Sequence, residues 1–171
     1  SPTNHLPNMT GVVCFPPIEK ILDLIKGMFP DKNKVGIVWN SSEANSESVL
    51  LKARAHVKKT GQQLIEATVS NPAEVLEASR SLVSKGVEVF LNPGDNTLNV
   101  SYDSFAKVAS NNAIPLFSID PGFIENHTVA ALGPDYFITG YEGGEIIARV
   151  LKGEKISDIP ISQTKQTEFY L

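Results

Sequence analysis

The chain has 171 residues, 42% of them hydrophobic, and a formal net charge of −4 at pH 7. This size and hydrophobic content suit one domain with its own core, and the scattered basic residues of an acidic chain argue against nucleic acid as a partner. The single cysteine, Cys14, excludes an internal disulfide and a cysteine-based metal site.

Short apolar runs and helical patterns alternate along the chain. The spacing of apolar residues predicts strands at 35–39, 64–69, 87–91, 114–119 and 129–132, and helices at 18–28, 46–59, 72–85, 102–111 and 135–151. Asn71-Pro72 marks the start of one helix, and Gly61 and Gly86 each follow the end of one. The tail from Ile159-Pro160-Ile161 to Leu171 is strand-like in composition but has no evident pairing partner.

This alternation predicts an α/β fold. The apolar runs are continuous, which is typical of parallel strands that are buried on both faces. Right-handed crossovers place the connecting helices on both sides of such a sheet. We therefore predict a three-layer, doubly wound, mainly parallel sheet of flavodoxin-like order.

Small polar residues follow the first predicted strand, at the carboxyl edge where open α/β sheets bind ligands. Ser42, Asn45 and Ser46 lie at the start of a helix, whose backbone N–H groups and dipole favour an anion such as a carboxylate. The same residues also suit simple helix capping, and both roles stay open from the sequence.

Acidic residues follow the third and fourth predicted strands. Asp95 with Asn96, and Asp120 on the next strand, suit an ammonium group, although these residue types also serve ordinary turns. Anion-binding donors and acids together predict a zwitterion of amino-acid size as the ligand. Trp39, the last residue of the first strand, is either a core residue or a platform for the ligand.

Catalysis and cofactor binding find no support in the sequence. The turn after the first strand has neither the glycines of a phosphate loop nor paired acids for Mg²⁺, and no nucleophile elbow occurs. Gly140, Gly143 and Gly144 lie inside a helical pattern, so we expect close helix packing there rather than phosphate binding. We predict no enzyme activity, no catalytic residues, no cofactor and no metal.

Six groups of residues occur in one order across nearly the whole chain. They are Asn8-Met9-Thr10-Gly11, Phe29-Pro30 followed by Lys34-Val35-Gly36-Ile37, Ser42-Glu43-Ala44-Asn45-Ser46, Pro93-Gly94-Asp95-Asn96-Thr97, Ile114-Pro115-Leu116-Phe117, and Leu151-Lys152-Gly153-Glu154 with Ile159-Pro160. In this order they resemble the ABC-transporter substrate-binding protein family that includes tryptophan- and other aromatic-amino-acid-binding members.

The resemblance implies a type I periplasmic binding protein, in which two α/β lobes joined by hinge strands close on a ligand. This chain resembles the second lobe alone. It implies a hinge or crossover segment at 1–12, a single ligand-binding lobe at 13–161, and a tail at 162–171 that is a candidate hinge strand. We expect an excised domain, with an N-terminal lobe and a leader or lipoprotein anchor preceding it in the parent chain.

The resemblance also implies roles for residues. Glu43, Asn45 and Ser46 would meet the polar end of the ligand, while Asp95 with Asn96 would line the cleft. Asp120, after the fourth strand, would complete the site. The implied ligand is an amino acid, with an aromatic one as the narrower expectation. The implied partner is an ABC permease, and the implied location is periplasmic or extracytoplasmic, either free or lipid-anchored.

One lobe supplies only part of the contacts in a two-lobe site, so we predict that the isolated chain folds but binds its ligand weakly or not at all. The alternative function is the effector-sensing lobe of a lactose-repressor-type transcription regulator, which shares the lobe architecture. An enzyme of flavodoxin-like fold is a third and weaker hypothesis.

Overall fold

The computed structural model describes residues 3–125, 127–164 and 166–171. The chain forms two compact units: a larger one, Pro16–Gly133 with Phe169–Leu171, and a smaller one, Ser1–Phe15 with Pro134–Glu168. The sequence analysis instead divided the chain into segments 1–12, 13–161 and 162–171, the first of which begins with two residues outside the described part. That division stays a prediction.

Helices and strands alternate through the described residues. The strands are β1 (Val12–Val13), β2 (Lys34–Trp39), β3 (Gln63–Thr68), β4 (Val89–Asn92), β5 (Leu116–Ser118), β6 (Ala130–Pro134), β7 (Ser162–Gln163) and β8 (Thr167–Tyr170). The helices are α1 (Ile18–Met28), α2 (Ala44–Thr60), α3 (Val75–Ser84), α4 (Asn96–Val100), α5 (Tyr102–Asn111) and α6 (Tyr136–Leu151). Short 3₁₀ turns lie at Pro72–Glu74, Pro121–Phe123 and Ile156–Asp158.

The larger unit is built on a parallel sheet. Its strand order is β3-β2-β4-β5-β6, and β8, whose last residues belong to this unit, follows β6. Neighbouring strands from β3 to β6 pair in parallel. Numbered as the five predicted strands, the order is 2-1-3-4-5, which is the flavodoxin-like order. The predicted fold class is confirmed.

Buried apolar residues explain why these segments form the central layer. Strand β2 is buried from Val35 to Trp39, as expected for a strand covered on both faces. Helices α1 and α2 contact each other, as do α3 and α5. Phe90 of β4 packs against Phe105 of α5 with ring centroids 4.7 Å apart. Gly61 ends α2 in the left-handed conformation, at φ 76°, as the sequence predicts.

Two features differ from the sequence analysis. The tail does pair, which corrects the expectation that it has no partner: within the smaller unit β7 runs parallel to β1, with Val12 opposite Ser162. Such a pairing joins residues 150 positions apart, so no local pattern could reveal it. Helix α4 was not predicted, because its five residues are too few to show a helical period.

Helix α6 of the smaller unit carries an exposed apolar face. Phe137 and Leu151 are 80% and 82% exposed, and Tyr136, Tyr141 and Ile147 are also exposed. A Cβ added at Gly140, Gly143 or Gly144 would meet no atom within 4 Å, so the close packing expected at these glycines is absent from the described structure. None of the helices described is long and apolar enough to cross a membrane.

Candidate ligand-binding site at the carboxyl edge of the sheet

The site lies where the strand order of the larger unit reverses direction. From β2 the chain passes to β3 on one side and then returns to β4 on the other side of β2. The carboxyl ends of β2 and β4 therefore flank a topological switch point, where open α/β sheets bind ligands. The loops that follow these two strands, 40–43 and 93–95, are joined by side-chain hydrogen bonds.

Asp95 is the central link between these loops. Its side chain is 0% exposed, and its Oδ2 accepts hydrogen bonds from Asn40 N at 2.8 Å and from Ser46 Oγ at 2.6 Å. Its Oδ1 accepts from Leu98 N at 2.8 Å, which makes Asp95 the N-cap of α4. The carboxylate thus holds the end of β2, the first turn of α2 and the start of α4 together.

Glu43 makes a second link between the same loops. Its carboxylate accepts four hydrogen bonds, from the backbone and side chain of both Asn96 and Thr97, at 2.7 to 3.1 Å. Partial burial raises the pKa of Glu43, but the hydrogen bonds from Thr97 and Asn96 together outweigh it and lower the pKa below the usual 4.5. Glu43 is therefore an ionised clasp across the switch point.

Glu43→Gln is expected to change the pH dependence of stability. Because the folded pKa is lowered, the stabilisation from the carboxylate is fully present above pH 4.5 and is lost as the pH falls through the folded pKa. Urea unfolding should therefore show the variant to be less stable than the parent at pH 7, with the two converging in acid. A difference that is the same at both pH values would contradict the ionised clasp.

The residues predicted to bind an anion separate into two groups. Ser46 is buried on Asp95, whereas Ser42 and Asn45 are exposed. Helix α2 has no side-chain cap. Within the described part of the chain, the backbone N–H groups of Ala44, Asn45 and Ser46 have no hydrogen-bond acceptor. Because Ser46 is 0% exposed, the N–H groups of the exposed Ala44 and Asn45, next to the exposed Ser42 side chain, are the donors that can receive a carboxylate.

Asp120 follows β5, at the same edge. Its Oδ1 accepts from Gly122 N at 2.9 Å, as turn chemistry predicts, and its backbone N–H donates to Ser118 Oγ at 3.0 Å. Its Oδ2 accepts no hydrogen bond from the residues described. Of the three predicted carboxylates, Asp120 therefore has the oxygen that can take a cationic group.

Several residues at this edge escaped the sequence analysis. Asn40 donates through Nδ2 to Thr97 Oγ1 at 3.0 Å, and its Oδ1 accepts from Ser42 N at 2.9 Å. Asn92, fully buried, donates to Ser118 Oγ at 3.2 Å and so ties β4 to β5. The signal that could have found them is the polar residue at the end of each apolar run. A polar group buried there needs a hydrogen-bond partner, which indicates a contact between the loops or strands at this edge.

Trp39 is part of the core. It is 6% exposed, and its Nε1 donates to Glu66 Oε2 at 3.0 Å. The guanidinium of Arg54 lies 5.4 Å from the ring centroid and also binds Glu66. Of the two roles left open by the sequence, the structure supports the core role.

An aromatic cluster lies beside Asp120. Tyr102, the first residue of α5, stacks on Phe123 with ring centroids 4.2 Å apart. The Thr128 hydroxyl donates to the Phe123 carbonyl at 2.7 Å, so the Tyr102 hydroxyl donates to Thr128 Oγ1 at 2.6 Å. Burial raises the pKa of Tyr102 to about 12, with the Asp120 charge acting in the same direction and the Thr128 hydrogen bond opposing it.

Tyr102 is expected to ionise late in an alkaline titration. Because its folded pKa of about 12 exceeds the usual 10.0, its contribution to stability is complete below pH 10 and is lost as the pH rises toward 12. Ultraviolet difference titration of the parent against Tyr102→Phe should assign the last phenolate step to Tyr102. Loss of an early step in the variant would show that the phenol is solvated.

The described residues contain no group of three or more His, Cys, Asp or Glu side chains able to hold a metal ion. The arrangement at the edge is one of hydrogen-bond donors and one unoccupied carboxylate oxygen. Such an arrangement can bind and orient a small polar molecule.

A parallel sheet of this order occurs in many proteins, and the similar solved structures identify it here as a lobe of a type I periplasmic binding protein. The family model described as ABC transporter substrate binding protein matches residues 2–171. The chain belongs to this family, as the sequence resemblance predicted.

Relatives of the chain are about twice its length. A curated tyrosine-binding protein from Clostridioides difficile (strain R20291) is 33% identical over 164 residues, which are 96% of this chain and 47% of that protein. A crystal structure of a conserved domain protein from Vibrio cholerae has a TM-score of 0.85 at 27% identity, covering 95% of this chain and 54% of that chain. The chain spans about half the length of the relatives it matches.

Two more distant structures show the fold. A crystal structure of an ABC domain in complex with L-Trp, from Streptococcus pneumonia, has a TM-score of 0.82 at 24% identity and covers 94% of this chain and 55% of that chain. A LacI family transcriptional regulator from Bifidobacterium animalis subsp. lactis has a TM-score of 0.70 at 15% identity, covering 90% of this chain and 59% of that one. The regulator alternative thus shares the fold, while the family match is to substrate-binding proteins.

Proposed function

We propose that this chain is the ligand-binding lobe of an ABC-transporter receptor that captures an amino acid for uptake, with aromatic amino acids preferred. The observation that carries the proposal is that N–H donors at the start of α2 and the Oδ2 of Asp120 lie at one sheet edge, and that the described residues supply no partner to either. Donors for an anion and an acceptor for a cation together suit a zwitterion.

The spacing of the strands fits such a ligand. Strand β4 lies between β2 and β5, and neighbouring strands are about 4.8 Å apart, so the ends of β2 and β5 are separated by about 10 Å. A carboxylate and an ammonium on one carbon atom, each with a hydrogen bond of about 2.9 Å, cover a comparable span. One amino acid can therefore contact both ends of the site.

The predicted site residues then divide by role. Ser42, Asn45 and Asp120 are proposed to contact the ligand, because their polar groups face no described partner or have acceptor capacity left. The remaining predicted residues are proposed to position the loops, because they bond to one another: Glu43 with Asn96, and Ser46 with Asp95.

The preference for an aromatic side chain is supported by the relatives. The tyrosine-binding protein is 33% identical to this chain, and the structure with L-Trp shares its fold. In this chain, Tyr102 and Phe123 place aromatic rings beside Asp120.

Saturation-transfer NMR of the 171-residue chain with each of the twenty amino acids tests the proposal. We expect L-Tyr and L-Trp to bind with affinity weaker than micromolar. Asp120→Asn should weaken binding further, since the amide oxygen keeps the Gly122 hydrogen bond while the charge is lost. Asp103→Asn, an exposed charge change on α5, is the matched control and should have no effect. Because both proposed contacts of the zwitterion lie within this lobe, the proposal requires weak binding rather than the absence of binding that the sequence analysis also allowed. Absence of binding by every amino acid would therefore refute it.

A partner lobe fits the exposed face of α6. We propose that the N-terminal lobe of the parent chain covers Phe137, Tyr141 and Leu151, since exposed apolar side chains in this number are typical of an interface. The relatives, at about twice this length, have room for such a lobe.

An ABC permease would bind the closed two-lobe protein outside the cytoplasm, where the protein is either free or lipid-anchored.

A further inference from the structure

Phe123 lies at the candidate site, in the 3₁₀ turn that Asp120 caps. Its ring stacks on Tyr102 at 4.2 Å with an interplanar angle of 29°. Tyr102 is 2% exposed, whereas Phe123 is half-buried. Tyr102 covers one face of the Phe123 ring, and Phe123, although packed against the core, keeps part of its surface accessible.

The backbone around Phe123 is held on both sides. Asp120 caps the Pro121–Phe123 turn through its Oδ1. The Phe123 carbonyl accepts the Thr128 hydroxyl at 2.7 Å, and Thr128 in turn binds the Tyr102 hydroxyl at 2.6 Å. Phe123 is therefore held in place relative to the Asp120 carboxylate before any ligand arrives, which lowers the entropy cost of binding.

We infer that Phe123 determines the specificity of the site by stacking on the aromatic side chain of an amino acid whose ammonium group is held by Asp120. This inference rests on the proposed function and adds to it the residue that selects the side chain. An aliphatic ligand would make the same polar contacts but would lose the stacking contribution.

The spacing within the turn supports this assignment. A 3₁₀ turn rises about 2.0 Å per residue, so the backbone of Phe123, three residues further on, lies about 6 Å from that of Asp120. The ammonium group and the ring of tyrosine or tryptophan are separated by a similar length, so one ligand can contact both residues. Two other aromatic residues discussed above, Tyr102 and Trp39, are poor candidates for stacking on the ligand, since Tyr102 is buried and Trp39 is 6% exposed.

The test compares ligand preference in matched variants. Dissociation constants for L-Trp and L-Leu are measured by NMR titration on the unsubstituted 171-residue chain, on Phe123→Leu and on Phe29→Leu. Phe29 is also half-buried and packs edge-on against Phe117, with centroids 6.0 Å apart, so the same substitution there changes core packing without touching the site. Phe123→Tyr, which keeps the ring, serves as the rescue variant.

We expect Phe123→Leu to weaken L-Trp binding about three- to tenfold and to leave L-Leu binding within about twofold. Phe29→Leu and Phe123→Tyr should keep the preference of the parent. If L-Trp binds all four proteins equally, the role of Phe123 is refuted while the proposed function stands. If neither L-Trp, L-Leu nor any other amino acid binds the unsubstituted 171-residue chain, the proposed function itself fails, and this inference fails with it.

Discussion

Asp95→Ala is expected to lower the free energy of unfolding by about 3 kcal/mol or more. The substitution leaves three donors without their acceptor: Asn40 N, Ser46 Oγ and Leu98 N. The Asp95 side chain is 0% exposed, so water cannot simply replace it. Loss of the helix cap of α4 adds to the cost. Urea unfolding at pH 7 measures the difference.

Two controls separate the buried link from an ordinary cap. Asn71→Ala removes an exposed cap, whose Oδ1 accepts from Ala73 N at 3.0 Å, and should cost about 1 kcal/mol. Asp95→Asn keeps one acceptor oxygen and should fall between the parent and Asp95→Ala. If Asp95→Ala costs no more than Asn71→Ala, the carboxylate does not join the two loops as described. A loss of ligand binding in Asp95→Ala would accordingly report lost stability and loop positioning rather than a lost ligand contact.

Gly133→Ala is expected to destabilise the larger unit by about 3 kcal/mol. A Cβ at this position would clash with Pro121 Cδ and would lie 2.5 Å from the Ile119 carbonyl oxygen. Both neighbours belong to the segment that carries Asp120, and a backbone oxygen cannot rotate away as a flexible side chain can. The added methyl group must therefore displace the Pro121–Phe123 turn, which changes the candidate site together with stability.

The matched control for Gly133 is Gly27→Ala in α1. A Cβ at Gly27 meets nothing within 4 Å, and alanine favours the helix, so this variant should gain up to about 0.5 kcal/mol. Thermal unfolding of the two variants should thus move in opposite directions from the parent. A neutral Gly133→Ala would contradict the close contact between β6 and the turn that follows β5.

The fold was largely predictable because the information is local. Apolar runs such as Val35–Trp39 predict buried parallel strands. The sequence also marks the ends of connecting helices, as the C-cap Gly61 does for α2. What escaped was decided by distant residues. The pairing of Val12 with Ser162 depends on a partner 150 positions away, and α4 is held by Glu43 and Asp95 rather than by a helical pattern of its own.

The sequence predicts a candidate site at the carboxyl edge of the sheet, but it does not predict the separate roles of the residues there. Asp95 and Asp120 occupy the same place in the sequence pattern, after neighbouring strands. Only the structure shows that the first carboxylate is buried among three donors, while the second keeps an oxygen to which no described residue donates. Phe123 was not predicted, since nothing in the sequence indicates that its ring stacks on Tyr102.

The most direct test of ligand binding at this edge is an NMR titration of the ¹⁵N-labelled 171-residue chain with L-tryptophan. Saturable amide shifts should occur at 40–46 and at 118–124, the two ends of the proposed site. Residues at the opposite edge of the sheet, such as 31–34 and 86–88, should not respond. Shifts confined to that opposite edge, or no saturable shift at all, would contradict the account.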